Sequence, residues 1–124
     1  MDKLETVFIV DDDSEFVADI TSELENDFRI VSCGDVDGLI DKFNKFNPKI
    51  LILDDVLSEK NSYSALMEVI RERAENDEFY VIMIAENFGA RFRDWVLEMG
   101  VSEYLRKPVG IRKLAGLVRE YAER

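Results

Sequence analysis

Apolar residues fall along this chain in two alternating rhythms. Val7-Phe8-Ile9-Val10, Ile50-Leu51-Ile52-Leu53 and residues 79–85 are unbroken apolar runs. They are too short for buried helices and read as strands covered on both faces. Between them the apolar positions recur at helical spacing. Phe16, Val17, Ile20 and Leu24 share one face, and so do Val36, Leu39, Ile40 and Phe43. Leu66, Met67, Val69, Ile70 and Ala74 mark a third helix. Phe92, Trp95, Val96 and Met99 mark a fourth, with Phe92 and Trp95 expected in the core. Ile111, Leu114, Leu117, Val118 and Tyr121 mark the last. Shorter strands are expected at residues 28–32 and 103–105, and a polar loop at 58–64.

Local signals punctuate these elements. Ser14 and Asp35 are expected to cap helices, with Glu15 in the first turn of the first. Gly100 is expected to end the fourth helix, and Pro48 precedes the central strand. Gly116 inside the last helix costs about 1 kcal/mol relative to alanine. Strand then helix, repeated through the chain, predicts a doubly wound α/β domain, a parallel sheet with helices on both faces. Neither a linker nor a sequence repeat divides it, so residues 1–124 are expected to form a single domain.

Composition narrows the function classes. Of 124 residues, 47% are hydrophobic, enough for one packed core. The net charge of −11 repels a phosphate backbone and argues against direct nucleic-acid binding. The acids are spread through the chain and read mostly as a solvated surface. There is no histidine, which removes the commonest general base and any imidazole zinc site. Cys33 stands alone, so no internal disulfide forms. No leader pattern is visible at the start, and no apolar run approaches the roughly 20 residues of a membrane helix. These features point to a cytoplasmic protein without a membrane partner.

The chemistry gathers at strand ends. The first strand runs into Asp11-Asp12-Asp13 and the third into Asp54-Asp55, while Lys107-Pro108 follows the fifth. In a sheet ordered 2-1-3-4-5 these ends converge on the crevice where the strand order reverses. Like charges there oppose each other's ionisation unless a hard cation relieves them, and oxygen ligands with retained water suit magnesium. An acid pair for Mg2+, a nucleophilic carboxylate at Asp54 and an ammonium at Lys107 equip a site for phosphoryl transfer onto aspartate. Asp13 and Asp55 are expected to be solvated loop acids.

In these motifs the chain resembles the receiver domain of two-component response regulators. Residues 8–13 resemble its acidic opening, residues 48–54 its phosphoacceptor strand and residues 103–108 its closing motif. The resemblance implies a flavodoxin-like (βα)5 fold with Asp54 as phosphoacceptor. Asp11, Asp12, Asp54 and the backbone carbonyl of Val56 would hold Mg2+. Lys107 would contact the phosphoryl group across a cis bond to Pro108, and Tyr104 would be an aromatic switch. A sensor histidine kinase or phosphotransfer protein would supply the phosphate. A downstream protein would read the face around the fourth helix, fifth strand and fifth helix, and the chain could form a homodimer. Such a domain is no enzyme beyond its own phosphorylation and dephosphorylation.

The chain departs from that pattern at Ala85, where the family carries a switch Ser or Thr whose hydroxyl bonds the phosphoryl group. Glu86 adds a negative charge beside it, and residues 58–62 lack the proline and glycine usual after the acceptor. Ala85 supports a second reading, a pseudo-receiver acting as a phosphorylation-independent interaction module. A third, a magnesium-dependent phosphohydrolase of the haloacid-dehalogenase type, rests on Asp11-Asp12-Asp13 alone.

Overall fold

The apolar runs pair side by side as β1 (Thr6–Val10), β2 (Arg29–Cys33), β3 (Ile50–Asp54), β4 (Tyr80–Ala85) and β5 (Glu103–Arg106). All pairings are parallel and the order is β2-β1-β3-β4-β5. The computed structural model describes residues 4–34, 39–54, 63–75, 78–86 and 89–124, with the backbone alone for 63–66 and 74. The connecting helices are α1 (Ser14–Leu24), α2 (Leu39–Phe46), α3 (Tyr63–Ala74), α4 (Ala90–Glu98) and α5 (Ile111–Ala122). The doubly wound, flavodoxin-like architecture is thus as the alternation of rhythms requires.

Alternate side chains of each strand serve two cores. Phe8, Val10, Leu51, Leu53, Val81 and Met83 pack with Leu39 and Phe43 of α2, Met67 and Ile70 of α3 and Val96 of α4. Val7, Ile9, Ile50, Ile52, Ile82 and Ile84 pack with Ile20 and Leu24 of α1 and Leu114, Ala115 and Val118 of α5. β1 and β3 are buried throughout, as strands covered on both faces must be. Each fully buried Leu, Ile or Phe contributes about 1.5–3 kcal/mol, so the two layers hold the strand ends firmly in register.

Several local expectations are corrected. Asp13, not Ser14, caps α1: its side chain accepts from the backbone N–H groups of Glu15 and Phe16. Tyr63 and Ser64 already belong to α3 rather than to a loop. The second strand begins at Arg29, and the fifth runs on to Arg106. Trp95 is 41% exposed, not core. On α4 it is Val96 that is buried, and successive residues turn by about 100°, which rotates Trp95 outward. Met99 is the C-cap of α4, and Gly100 follows with φ 114°, a left-handed conformation that strains any residue with a Cβ. Asp35, Asp55 and the segment 58–62 lie outside the described residues.

Candidate functional site

The sheet order reverses between β1 and β3. The chain leaving β1 turns back to β2, and the chain leaving β3 goes on to β4, so a crevice opens at their carboxyl ends. Asp11 directly follows β1, and its N–H donates to the Cys33 carbonyl at 3.1 Å, extending the ladder by one residue. Asp54 is the last residue of β3. The strands thus deliver two carboxyls to one place, and both are buried, at 5% and 2% exposure.

The three consecutive acids after β1 divide the work. Asp11 is buried beside Asp54, and its Oδ1 accepts a 2.9 Å hydrogen bond from the Asp13 N–H. Asp12 is exposed at the rim. Asp13 faces its own helix, with Oδ1 accepting from Glu15 N at 3.1 Å and Phe16 N at 3.2 Å. The cap role of Asp13 was legible in principle, because aspartate ranks among the best N-caps and Ser14-Glu15 fits the first turn. One carboxylate oxygen each from Asp11, Asp12 and Asp54 lies within 4.8 Å of the others. Three hard oxygen donors, one open to water, suit a small divalent cation that keeps part of its hydration shell.

Electrostatics register the crowding. Burial pushes the Asp11 carboxyl up from 3.8 to about 6; the Asp13 N–H opposes this, the Asp54 charge adds to it and the Lys107 charge opposes it. Lys107 Nζ lies 3.0 Å from Asp54 Oδ1 and donates to it. Its backbone N–H donates to the Ala85 carbonyl at 2.8 Å, which ties the end of β5 to the end of β4. The Lys107–Pro108 peptide bond is cis, as the resemblance implied.

The remaining candidates sit beside this cluster. Ala85 closes β4 with no exposed surface, opposite Arg106 in the ladder. Tyr104 is 8% exposed and shares an apolar cluster with Ala85, its ring 6.0 Å from that of Phe92. Glu86 is exposed. Val56 lies outside the described residues. A separate cleft of about 590 Å3 opens near the amino ends of β3 and β4, with Glu5, Lys49, Arg73, Glu75 and Glu78 among its lining.

A parallel sheet with an acidic crevice at its switch point, faced by a lysine, defines a class of doubly wound domain that handles phosphate through metal and ammonium charge. The response regulator receiver domain family matches residues 7–119, and the chain belongs to that family. Among curated proteins it is similar to the response regulator protein GraR of Staphylococcus aureus, 26% identical over 122 residues, covering 94% of this chain and 53% of the relative. The chain therefore spans about half the length of the curated relatives it matches. Among solved structures it is similar to a signal receiver domain from Vibrio parahaemolyticus, with TM-score 0.82, 18% identity, and 98% and 92% of the two chains covered. It is also similar to a CheY-like receiver domain from Methanospirillum hungatei, with TM-score 0.81, 19% identity, and 98% and 95% covered. At those identities the structures speak for the fold. Receiver domains bind Mg2+ in an acidic pocket and are not enzymes in the ordinary sense, and the Asp11, Asp12, Asp54 cluster has the composition for that ion. Among the described residues no helix is long and apolar enough to cross a membrane.

Proposed function

We propose that this receiver domain accepts a phosphoryl group on Asp54 from a phosphohistidine of a partner kinase or phosphotransfer protein. The observation that carries the reading is the buried Asp54 carboxylate, bonded to Lys107 at 3.0 Å and clustered with Asp11 and Asp12. A carboxylate oxygen of Asp54 forms the new bond to phosphorus as the phosphorus–nitrogen bond breaks. The electron pair leaves on the imidazole nitrogen of the donor, which takes up a proton. Lys107 sits where its ammonium offsets charge on the phosphoryl oxygens. Asp11, Asp12, Asp54 and the Val56 carbonyl would hold Mg2+, which supplies further charge neutralisation when bound. At 2% exposure the Asp54 carboxylate is largely shielded from bulk water.

Ala85 favours a second reading beside the first. No hydroxyl stands at the end of β4 to bond the phosphoryl group, and Tyr104 is already buried without one. In that reading the α4–β5–α5 face is presented in one arrangement whether or not Asp54 is phosphorylated. The test is acetyl phosphate with Mg2+, followed by intact mass. We expect one added phosphoryl group that requires Mg2+, is abolished by Asp54→Ala and survives Asp55→Ala. No adduct with any small phosphodonor would leave the interaction-module reading in place of the first.

A further inference from the structure

The negative charge of the chain is not evenly shared. Residues 1–88 hold eight bases and 22 acids, whereas residues 89–124, which form α4, β5 and α5, hold eight bases and five acids. Five of those eight bases are placed at one end of their elements. Arg91 and Arg93 lie at the start of α4, Arg112 and Lys113 at the start of α5, and Arg106 closes β5. β5 is the sheet edge, α4 packs into one core and α5 into the other, and both helices begin at the carboxyl ends of their strands. The five bases therefore crown a single corner of the domain, and all are exposed. The ion pairs among the described residues are Lys107–Asp54, Arg119–Asp27 and Arg124–Glu120, so none of the five is used in one.

Local physics opposes this placement. A helix N-terminus carries partial positive charge and favours acids in its first turn. α1 obeys, with Asp13 as cap and Glu15 following. α4 and α5 have glycine caps without a side-chain acceptor and no acid in the first turn. Two positive helix ends and five cations thus gather at one corner, against the exposed acids Asp94 and Glu98 farther along α4. Trp95, one turn after Arg91, stands exposed nearby. Its ring lies 5.9 Å from Phe92, which in turn lies 6.0 Å from Tyr104, an aromatic run from the surface to β5. An exposed tryptophan accompanied by arginines is the composition of an interface anchor.

We propose that this α4–β5–α5 corner docks an acidic segment of a protein partner, which sets an apolar side chain on Trp95 and carboxylates against Arg91, Arg93, Arg106, Arg112 and Lys113. The proposal deepens the receiver reading by giving the chemistry of the partner on its output face, and it rests on that reading only for the signal that governs docking. Charge geometry favours a protein over duplex nucleic acid. Asp11, Asp12 and Asp54 lie at the same carboxyl end of the sheet, and Glu86 follows β4 there. The screening length is about 8 Å at physiological salt, so the attractive field is confined to the corner. A long polyanion would extend past it into repulsion, whereas a short acidic segment ends within it.

Trp95 is the only tryptophan, so its fluorescence reports this surface alone. The probe is a short synthetic peptide of glutamates and leucines, titrated into the unphosphorylated full chain. We expect a saturable blue shift, weakened at least about tenfold by Arg91→Glu with Arg112→Glu, and unchanged by Lys42→Glu with Lys45→Glu on α2. No shift, or an equal loss in both double variants, would overturn the proposal. So would tighter binding of a short DNA duplex than of the peptide at the same salt. A shift that follows protein concentration without peptide would overturn it too, since it would assign the surface to a second copy of this chain. Because the assay uses unphosphorylated protein, its failure leaves the Asp54 acceptor reading standing, and the mass experiment fails or succeeds independently.

Discussion

Lys107 Nζ and Asp54 Oδ1 lie 3.0 Å apart although β4 runs between their strands. The reach over the end of β4 is set by the 2.8 Å bond from the Lys107 N–H to the Ala85 carbonyl. The pair joins a carboxylate that is 2% exposed to an ammonium that is 31% exposed, so Asp54 depends on its partner more than Lys107 does. Lys107→Met should therefore destabilise the metal-free domain by about 1–3 kcal/mol, the cost of leaving a buried charged group without its partner. Urea unfolding at neutral pH measures this. Added Mg2+ should recover part of the loss, and acyl phosphate formation should fall by about 10²-fold or more. An unchanged midpoint would mean that Asp54 finds other support.

The Asp11 carboxyl, raised from 3.8 to about 6, gives the metal-free domain a defined pH dependence. Between those values the folded state holds its proton more tightly than the unfolded chain does. Stability from this group is therefore greatest at low pH, falls as pH rises through the window and is lost above about 6. Asp11→Asn should flatten that part of the profile and raise the urea midpoint at neutral pH. Denaturation across the window, native against variant, checks both.

Protons and Mg2+ compete for the same oxygens. Magnesium affinity measured by calorimetry should drop between about pH 7.5 and about pH 5.5 as Asp11 takes up its proton. Asp12→Ala should weaken binding at both values, because Asp12 supplies one of the three clustered carboxylate oxygens. Binding untouched by Asp12→Ala would remove that residue from the site.

Ala85 and Tyr104 offer a test of coupling. Tyr104 is 8% exposed and Ala85 is fully buried, in the same cluster. A beryllofluoride adduct should move the Tyr104 resonances little in the native chain, because a ligand shifts an equilibrium only by its differential contacts. Ala85→Thr adds a hydroxyl and should enlarge that response. It should also cost about 1–3 kcal/mol of stability, since it adds atoms at a fully buried position. A full native response, unaltered by the substitution, would place the coupling on another group.

At the far end of β5 the Tyr121 hydroxyl donates to Glu103 Oε1 at 2.7 Å. Burial and this bond push the phenol from 10.0 up to about 12. The stabilisation it represents is complete below about pH 10 and is lost as pH rises through about 12. Tyr121→Phe should cost about 1–2 kcal/mol at neutral pH, with thermal melting as the measure. The loss should shrink above about pH 10, and a loss that grew there would mean that the phenolate, not the phenol, is the bonded form.

The elements and the residue types of the site were written in the chain itself. Unbroken apolar runs, helical stripes between them and acids at the ends of β1 and β3 are local patterns, which need no knowledge of distant residues. From them came the doubly wound order, the Asp11, Asp12 and Asp54 cluster and the lysine before Pro108. Tertiary packing fixed the detail of three things, although the cap role of Asp13 was legible in principle and the strand order already implied that Lys107 converges on Asp54. The three acids after β1 take three different roles because the ladder to Cys33 and the start of α1 orient them separately. Trp95 faces water because Val96 takes the buried place on α4. Lys107 meets Asp54, 53 positions earlier in the chain, because parallel strands bring all their carboxyl ends to one edge of the sheet. Periodicity tells a residue which face it is on, but what it meets there depends on which strands are neighbours, and that is decided by the packing of the whole sheet.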